Sequence, residues 1–159
     1  MLELLLKEGN LSYGDWMKVN ILVIDNEESI RFSFCRFLAA EGHNVIAAQG
    51  YREALARMDE TEFELIFADI FLEDGWGIDI LQEVMQRNLK TRVIIMTAYP
   101  STETAQDSFR MHALDYLVKP LKQEGLLKCV NKAFEQQGNG AGETNSARES
   151  KSDNHSKGA

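Results

Sequence analysis

The sequence predicts an α/β domain built on a doubly wound, five-stranded parallel sheet with helices on both faces. From about residue 19, five short apolar runs alternate with five stretches of helical spacing. The runs are almost continuous in Val, Ile and Leu, which is typical of strands that are covered on both faces. Units of about 20–28 residues fit successive βα repeats, whose right-handed crossovers bring the carboxyl ends of all strands to one edge.

Each of four predicted strands delivers a polar side chain at its carboxyl end. Asp25, Asp69 and Thr97 end the first, third and fourth strands, and Lys119 follows the fifth. Open α/β sheets bind ligands at this edge, so we expect the four side chains to lie together. Two acids, a hydroxyl and a lysine predict a phosphoryl-transfer site. The five predicted strands are 20–25, 44–48, 64–69, 92–97 and 115–118.

The helices between the strands are predicted from apolar residues three and four positions apart. Asn26 precedes the first helix as a strong N-cap residue type, and Glu27 and Glu28 then favour the helix dipole from its first turn. The residues expected to face the core are, helix by helix, Ile30, Phe34, Phe37 and Leu38; Tyr51, Leu55 and Met58; Ile78, Leu81, Val84 and Met85; Ala105, Phe109 and Met111; and Leu126, Leu127, Val130 and Phe134.

Composition indicates one globular domain, predicted at residues 19–137, in a chain of 159 residues that is 44% apolar. The net charge of −8 argues against direct nucleic-acid binding by this domain. Residues 1–18 are predicted to be an N-terminal extension, either an upstream translation extension or an added helix, and too short to cross a membrane. Residues 138–159 are rich in Ser, Asn and Gly and are predicted to form a disordered tail or linker.

The two cysteines, Cys35 and Cys129, are far apart in the sequence and show neither metal nor redox spacing. Reduced thiols and the lack of a secretory signal predict a cytoplasmic location with no membrane partner.

Four segments together resemble the receiver domain of two-component response regulators, from about Val19 to Gln137. They are Ile21–Arg31, Asp69, Met96-Thr97-Ala98 and Asp115-Tyr116-Leu117-Val118-Lys119-Pro120. The resemblance implies a flavodoxin-like fold with strand order 2-1-3-4-5. The segment from Met96 to Ala105 more loosely resembles receivers of enhancer-binding transcription activators.

The resemblance also implies the chemistry. Asp69 would be the nucleophile that takes a phosphoryl group from a sensor histidine kinase or phosphotransfer protein. The domain would catalyse only its own phosphorylation and dephosphorylation. The implied Mg²⁺ ligands are Asp25, Asn26, Asp69 and the backbone carbonyl of Phe71, and the implied phosphoryl-binding residues are Thr97, Ala98 and Lys119.

A switch is implied as well, in which Thr97 moves toward the phosphoryl group and Tyr116 rotates inward. The surface around the fourth helix, fifth strand and fifth helix would then change for a downstream protein target, a fused effector domain absent from this chain, or a phosphorylation-dependent homodimer. Whether the chain stands alone or belongs to a longer regulator stays open, as do the kinase and its signal.

The sequence departs from the family pattern in three places. Asn26 replaces an acid, which predicts weaker Mg²⁺ binding. Leu72-Glu73 replaces Met-Pro and opens an acidic loop with Trp76 beside the site, a natural fluorescence reporter. Phe71 and Tyr99 each lie two residues beyond a site residue, and these aromatics predict a long-lived phosphorylated state because they exclude water.

Three alternatives remain at this point. A flavodoxin-like phosphate or flavin binder would carry donors after the first strand, where this chain has Glu27 and Glu28. A hydrolase with an Asp nucleophile would need a general acid that Ile70-Phe71 does not supply. A pseudo-receiver, a phosphorylation-independent protein-binding module, is favoured by Asn26 alone.

Overall fold

The computed structural model describes residues 18–135 of the protein. The predicted segments 1–18, apart from Lys18, and 138–159 lie outside these residues. No helix of the described part is long and apolar enough to span a bilayer. The strands are β1 (Asn20–Ile24), β2 (Asn44–Ala48), β3 (Leu65–Asp69), β4 (Phe71–Leu72), β5 (Gly75–Trp76), β6 (Arg92–Thr97) and β7 (Asp115–Val118), and the helices are α1 (Glu28–Ala40), α2 (Tyr51–Glu60), α3 (Gly77–Gln86), α4 (Thr102–Arg110) and α5 (Gln123–Glu135).

The main sheet has five parallel strands in the order β2-β1-β3-β6-β7. This confirms the predicted order 2-1-3-4-5, since β6 and β7 are the fourth and fifth strands of this sheet. From β1 the chain continues to β2, which lies on one edge of β1. After β2 it returns past β1 to β3, which pairs with the opposite edge of β1. The crevice between β1 and β3 is therefore the topological switch point where such folds place their sites.

Apolar side chains cover both faces of the sheet, as predicted. Residues of β1 alternate between the faces: Leu22 and Ile24 point into one core cluster, and Ile21 and Val23 into the other. The first cluster contains Ala54, Ile80, Leu81 and Val84, from α2 and α3. The second contains Phe34, Leu38, Leu126 and Val130, from α1 and α5.

Two residues predicted to face the core are exposed. Met85 in α3 and Phe109 in α4 are each 52% exposed. The buried positions of α3 include Ile80, Leu81 and Val84, so its core stripe ends one residue before Met85. In α4 the buried residue is Ser108, whose hydroxyl donates to the Thr104 carbonyl oxygen over 2.6 Å. The hydroxyl of Ser108 has a hydrogen-bond acceptor within its own helix, so it can be buried at low cost. Ser108 therefore faces the core, where the pattern predicted Phe109.

A second, two-stranded sheet was not predicted. Strands β4 and β5 pair antiparallel, with Phe71 opposite Trp76 and Leu72 opposite Gly75. The acidic residues Glu73 and Asp74 are thus the tip of a hairpin, which leaves the main sheet immediately after Asp69. This hairpin forms one wall of the candidate site.

Candidate functional site

Side chains from three strand ends meet at the carboxyl edge of the sheet. The Lys119 Nζ lies 2.6 Å from Asp25 Oδ2 and 3.1 Å from Asp69 Oδ2. Asp25 directly follows β1, Asp69 ends β3 and Lys119 directly follows β7. The backbone N–H of Lys119 donates to the carbonyl oxygen of Thr97 over 2.8 Å, which fixes the lysine at the end of β6. The structure therefore brings Asp25, Asp69 and Lys119 into direct contact beside the end of β6.

Glu27 adds a third carboxylate that the sequence analysis did not assign to the site. One carboxylate oxygen each of Asp25, Glu27 and Asp69 lies within 4.8 Å of the others. Glu27 Oε1 is also 3.4 Å from Lys119 Nζ. Its place two residues after a strand-end acid, in the same turn, is the sequence signal that could have identified it.

The interpretation of Asn26 as an N-cap is wrong. The N-cap of α1 is Glu27, and no side chain caps this helix end locally. The backbone N–H of Glu27 instead donates to Asp25 Oδ1 over 2.9 Å, so the strand-end acid holds the turn that precedes α1. This turn leaves Asn26 exposed.

The other predicted site residues flank the acid cluster. Thr97 is fully buried, and its Oγ1 accepts a hydrogen bond from the Tyr99 N–H over 3.0 Å. Ala98 is exposed directly after β6, and Phe71 is 42% exposed at the start of β4. Asn26 lines an open polar cavity of about 380 Å³ with Gln49, Gly50, Arg52, Glu53, Glu73 and Asp74.

Burial and like charge act together on the Asp69 carboxyl group. Burial raises the pKa of Asp69, and the neighbouring Asp25 raises it further, while Lys119 and the Phe71 N–H lower it in part. Burial alone would lower the pKa of Lys119, but its contacts with Asp25 and Asp69 outweigh this and raise that pKa. Lys119 is therefore a fixed positive charge among three acids at neutral pH.

The donor set fits a hard divalent cation. Mg²⁺ and Ca²⁺ prefer carboxylate and carbonyl oxygens, which Asp25, Glu27 and Asp69 supply at one point. Asp25 Oδ2 is buried, and its close partner among the described residues is Lys119 Nζ, at 2.6 Å. A buried carboxylate oxygen with spare lone pairs is the ligand that such a cation needs.

Tyr116 is half-buried in β7 and reaches the first turn of α4. Its hydroxyl lies 2.8 Å from Thr104 Oγ1 and accepts a hydrogen bond from the Ser101 N–H over 3.3 Å. Ser101 also caps α4 by accepting from the Thr104 N–H. The position of the Tyr116 ring is thus linked to the beginning of α4.

Three exposed aromatic rings on the hairpin and on the loop after β6 lie close to one another, and we call them the aromatic cluster: Phe71, Trp76 and Tyr99. The Phe71 ring centroid is 5.4 Å from that of Trp76 and 6.1 Å from that of Tyr99. Trp76 is 53% exposed and Tyr99 is 75% exposed. The hairpin and the loop after β6 therefore contribute rings to one surface at the mouth of the site.

A family model for the response regulator receiver domain matches residues 21–131. The chain belongs to this family. Transcriptional regulatory protein ZraR of Escherichia coli (strain K12) is 37% identical to it over 116 residues, which are 73% of this chain and 26% of ZraR. The receiver thus spans about a quarter of the length of the curated relatives it matches.

Solved receivers share the fold closely. The beryllofluoride-activated NtrC4 receiver domain dimer is similar with a TM-score of 0.69 and 32% identity, covering 74% of this chain and 97% of that one. A response regulator protein from Burkholderia pseudomallei, solved with a phosphorylated aspartic acid, a calcium ion and citrate, has a TM-score of 0.67 and 30% identity. That similarity covers 78% of this chain and 74% of that one.

Replacement of Asp69 by asparagine is expected to stabilise this receiver when no divalent cation is present. The pKa of Asp69 in the folded state lies above its unfolded value of about 3.9, so the folded state binds this proton more tightly. The free energy of unfolding therefore falls as the pH rises from the unfolded pKa through the higher folded pKa of Asp69. Asp69→Asn cannot ionise, so it does not lose this stability. We expect a gain of about 1 kcal/mol in the free energy of unfolding at pH 7.

Urea denaturation of both proteins between pH 4 and pH 8 measures this gain. Glu73→Gln, which neutralises an exposed acid at the hairpin tip, is the matched control and should leave the difference between low and neutral pH unchanged. Equal stability of Asp69→Asn and the unsubstituted protein across the whole range would contradict the prediction.

Proposed function

We propose that this receiver accepts a phosphoryl group on Asp69, in a Mg²⁺-dependent reaction, and that the modification switches a protein-binding surface. The observation that carries the proposal is the position of Lys119, within 3.1 Å of both Asp25 and Asp69 at the carboxyl edge of the sheet. A cation between two buried acids stabilises negative charge that arrives at Asp69. The phosphodonor is a sensor histidine kinase or a phosphotransfer protein.

The transfer step forms one bond and breaks one. A carboxylate oxygen of Asp69 attacks the phosphorus atom of a phosphohistidine, the P–N bond breaks, and its electron pair returns to the imidazole nitrogen. Lys119 pairs with one oxygen of the transferred phosphoryl group. Thr97, whose oxygen already accepts from Tyr99, has its own hydroxyl proton free to donate to a second oxygen. Ala98 lies next to it at the same strand end.

Asp25, Glu27 and Asp69 are the side chains that would hold Mg²⁺, with the Phe71 carbonyl and the Asn26 amide oxygen as further ligands. Mg²⁺, when bound, neutralises the phosphoryl oxygens that three carboxylates would otherwise repel. Asn26 provides an uncharged oxygen where an acid is usual, and Glu27 restores a negative charge to the cluster. The Burkholderia pseudomallei neighbour, solved with a phosphorylated aspartic acid and a calcium ion, supports a divalent cation together with this modification in the fold.

The aromatic cluster sets the lifetime of the acyl phosphate. Hydrolysis requires a water molecule to approach the phosphorus atom in line with the bond to Asp69. Phe71 and Tyr99, 6.1 Å apart between centroids, stand beside this approach and shield it from water. The decay of the phosphorylated form after the phosphodonor is removed measures this shielding directly.

The output runs from the site through Thr97 and Tyr116 to the surface formed by α4, β7 and α5. In the switch, Thr97 moves toward the phosphoryl group and Tyr116 rotates inward. In this structure the Tyr116 hydroxyl is hydrogen-bonded to Thr104, and this bond would change with the rotation. ZraR is a transcriptional regulatory protein of which this chain covers 26%, which supports an effector outside residues 19–137, fused or separate. The NtrC4 receiver dimer supports phosphorylation-dependent homodimerisation as one form of the output.

Intact mass after incubation with acetyl phosphate tests the proposal, with and without Mg²⁺, on the unsubstituted protein and on Asp69→Ala. We expect a gain of one phosphoryl group that requires both Mg²⁺ and Asp69, because acetate leaves as the carboxylate attacks. No gain at high Mg²⁺ would refute the proposal and favour the pseudo-receiver, for which Asn26 is the supporting feature. A gain that persists in Asp69→Ala would place the modification on another residue.

A further inference from the structure

The hairpin that carries the aromatic cluster is fastened to a neighbouring helix by one carboxylate. Asp74, at the hairpin tip, accepts two backbone hydrogen bonds from the first turn of α2. The Tyr51 N–H donates to Asp74 Oδ1 over 2.6 Å, and the Arg52 N–H donates to Asp74 Oδ2 over 3.0 Å. The N-cap residue of α2, Gly50, has no side chain to fill this role, so the helix takes its cap from the hairpin.

The carboxylate is held in its charged form. The hydrogen bonds from the backbone amides of Arg52 and Tyr51 lower the pKa of Asp74. The helix dipole of α2 also favours a negative charge at this end. Asp74 therefore acts as an ionised cap at neutral pH even though it lies on the surface.

Close packing of the hairpin on Tyr51 leaves it little freedom. A Cβ atom added to Gly75 would lie 2.9 Å from the Cβ of Tyr51, so the hairpin strand lies directly on that residue. The Tyr51 hydroxyl in turn donates to Glu83 Oε1 in α3 over 3.1 Å. The hairpin is thus seated against α2, and Tyr51 connects that seat to α3.

We infer that Asp74 is a positioning residue for the phosphorylation site: by capping α2 it fixes the β4–β5 hairpin, and with it Phe71 and Trp76, beside Asp69. The inference rests on the proposed function and extends it to a residue outside the acid cluster. Phe71 is both the second residue after Asp69 and the strand partner of Trp76. Movement of the hairpin therefore moves a proposed metal-binding carbonyl and the ring that shields the acyl phosphate.

The test measures hairpin position and acyl-phosphate lifetime separately. The chain has two tryptophans, so the experiment uses a Trp16→Phe background in which Trp76 is the only tryptophan. Acrylamide quenching of Trp76 reports the hairpin without any phosphorylation. Intact mass, followed over time after removal of acetyl phosphate, reports the lifetime.

Asp74→Ala is expected to increase the acrylamide quenching of Trp76 and to shorten the lifetime of the acyl phosphate roughly fivefold. Fivefold is the change in the ratio of displaced to seated hairpin that the loss of one helix cap produces. Asp74→Asn keeps one acceptor oxygen and should rescue part of both effects. Gly50→Ala attacks the same contact from the helix side, because its Cβ would lie 2.5 Å from Asp74 Oδ1 while its extended backbone (φ −159°) accepts any residue. It should change both readouts in the same direction as Asp74→Ala.

Two controls separate positioning from charge and from helix stability. Glu73→Ala removes the neighbouring exposed acid and should leave both readouts unchanged. Glu53→Ala removes the local bond from the Gln49 N–H to Glu53 Oε2 (2.9 Å), which weakens the same end of α2 without removing a hydrogen bond to the hairpin, and should leave the lifetime unchanged. Phe71→Asn combined with Tyr99→Glu removes the shield and should decay at least as fast as Asp74→Ala.

If Asp74→Ala shows the same acyl-phosphate lifetime and the same Trp76 quenching as the unsubstituted protein, the inference is overturned while the proposed function stands. An equal loss of lifetime in Glu53→Ala would also overturn it, since helix stability alone would then explain the effect. If the unsubstituted protein takes up no phosphoryl group, the proposed function fails. The quenching measurement then decides by itself whether Asp74 holds the hairpin.

Discussion

Lys119→Met is expected to slow the Mg²⁺-dependent phosphorylation of Asp69 by about 10²–10³-fold, the usual cost of losing one preorganised charge partner of a reacting group. The Nζ atom that lies 2.6 Å from Asp25 and 3.1 Å from Asp69 disappears, and no other lysine or arginine among the described residues forms an ion pair with these two acids. Lys119 also lowers the pKa of Asp69, so its removal raises that pKa. The acidic limb of the rate profile should therefore move to higher pH in the variant.

The same substitution should tighten Mg²⁺ binding. A cation no longer competes with a lysine for the oxygens of Asp25, Glu27 and Asp69, and Coulomb attraction to the three carboxylates increases. Titration of Trp76 fluorescence with Mg²⁺, in the Trp16→Phe background, gives the affinity, and intact mass gives the rate. Partial unfolding would lower both the phosphorylation rate and the Mg²⁺ affinity. It therefore cannot explain a slower reaction combined with tighter Mg²⁺ binding.

Lys122→Met is the matched control, because Lys122 is an exposed lysine three residues further along the chain. It should change neither the rate nor the Mg²⁺ affinity. A Lys119→Met protein that phosphorylates at the normal rate would contradict the role proposed for this lysine. Weaker Mg²⁺ binding in that variant would contradict the electrostatic account of the acid cluster.

The sheet could be predicted because its signals are local and redundant. β1, with Leu22 and Ile24 on one face and Ile21 and Val23 on the other, reads as one continuous apolar run because both faces are covered. The strand order 2-1-3-4-5, which the receiver resemblance implies, then brings Asp25, Asp69 and Lys119 together without knowledge of any loop. The contact of these three side chains follows from strand order alone.

The loops could not be predicted to the same depth, because single hydrogen bonds decide their geometry. The bond from the Glu27 N–H to Asp25 Oδ1 sets where α1 begins, and it turns the Glu27 carboxylate toward Lys119 instead of placing Asn26 as the cap. Asp74 caps a helix that begins 23 residues earlier in the chain, at Tyr51. Propensity for turns and caps is a local property, so it contains no information on such distant partners.

Helical periodicity also misplaced two exposed apolar residues. Met85 and Phe109 match helical spacing as well as their buried neighbours do, yet each is 52% exposed. Which residues of an apolar helix face are buried depends on how far the neighbouring helices and strands extend over it. The sequence pattern of a single helix does not contain this information.

Gly77→Ala is expected to destabilise the receiver strongly, by about 1–3 kcal/mol, because it forces an added atom into packed backbone. Gly77 is the buried first residue of α3, and its N–H donates to the Ile70 carbonyl oxygen over 2.8 Å. A Cβ at this position would collide with the backbone carbonyl group of Asp69 and would lie 3.2 Å from the Ile70 Cα. Backbone atoms cannot move aside by changing rotamer, so either α3 or the end of β3 must shift.

The phosphorylation rate should fall together with stability, since the shift moves the carbonyl of Asp69 itself. Gly125→Ala is the matched control: the same substitution in the first turn of α5, where an added Cβ has nothing within 4 Å, should stabilise the domain by about 0.4–1 kcal/mol. Urea denaturation and acetyl phosphate labelling of both variants measure the contrast. If Gly77→Ala proves as stable and as reactive as the unsubstituted protein, β3 and α3 are not locked together at Asp69, and the close approach of their backbones does not position the Asp69 side chain.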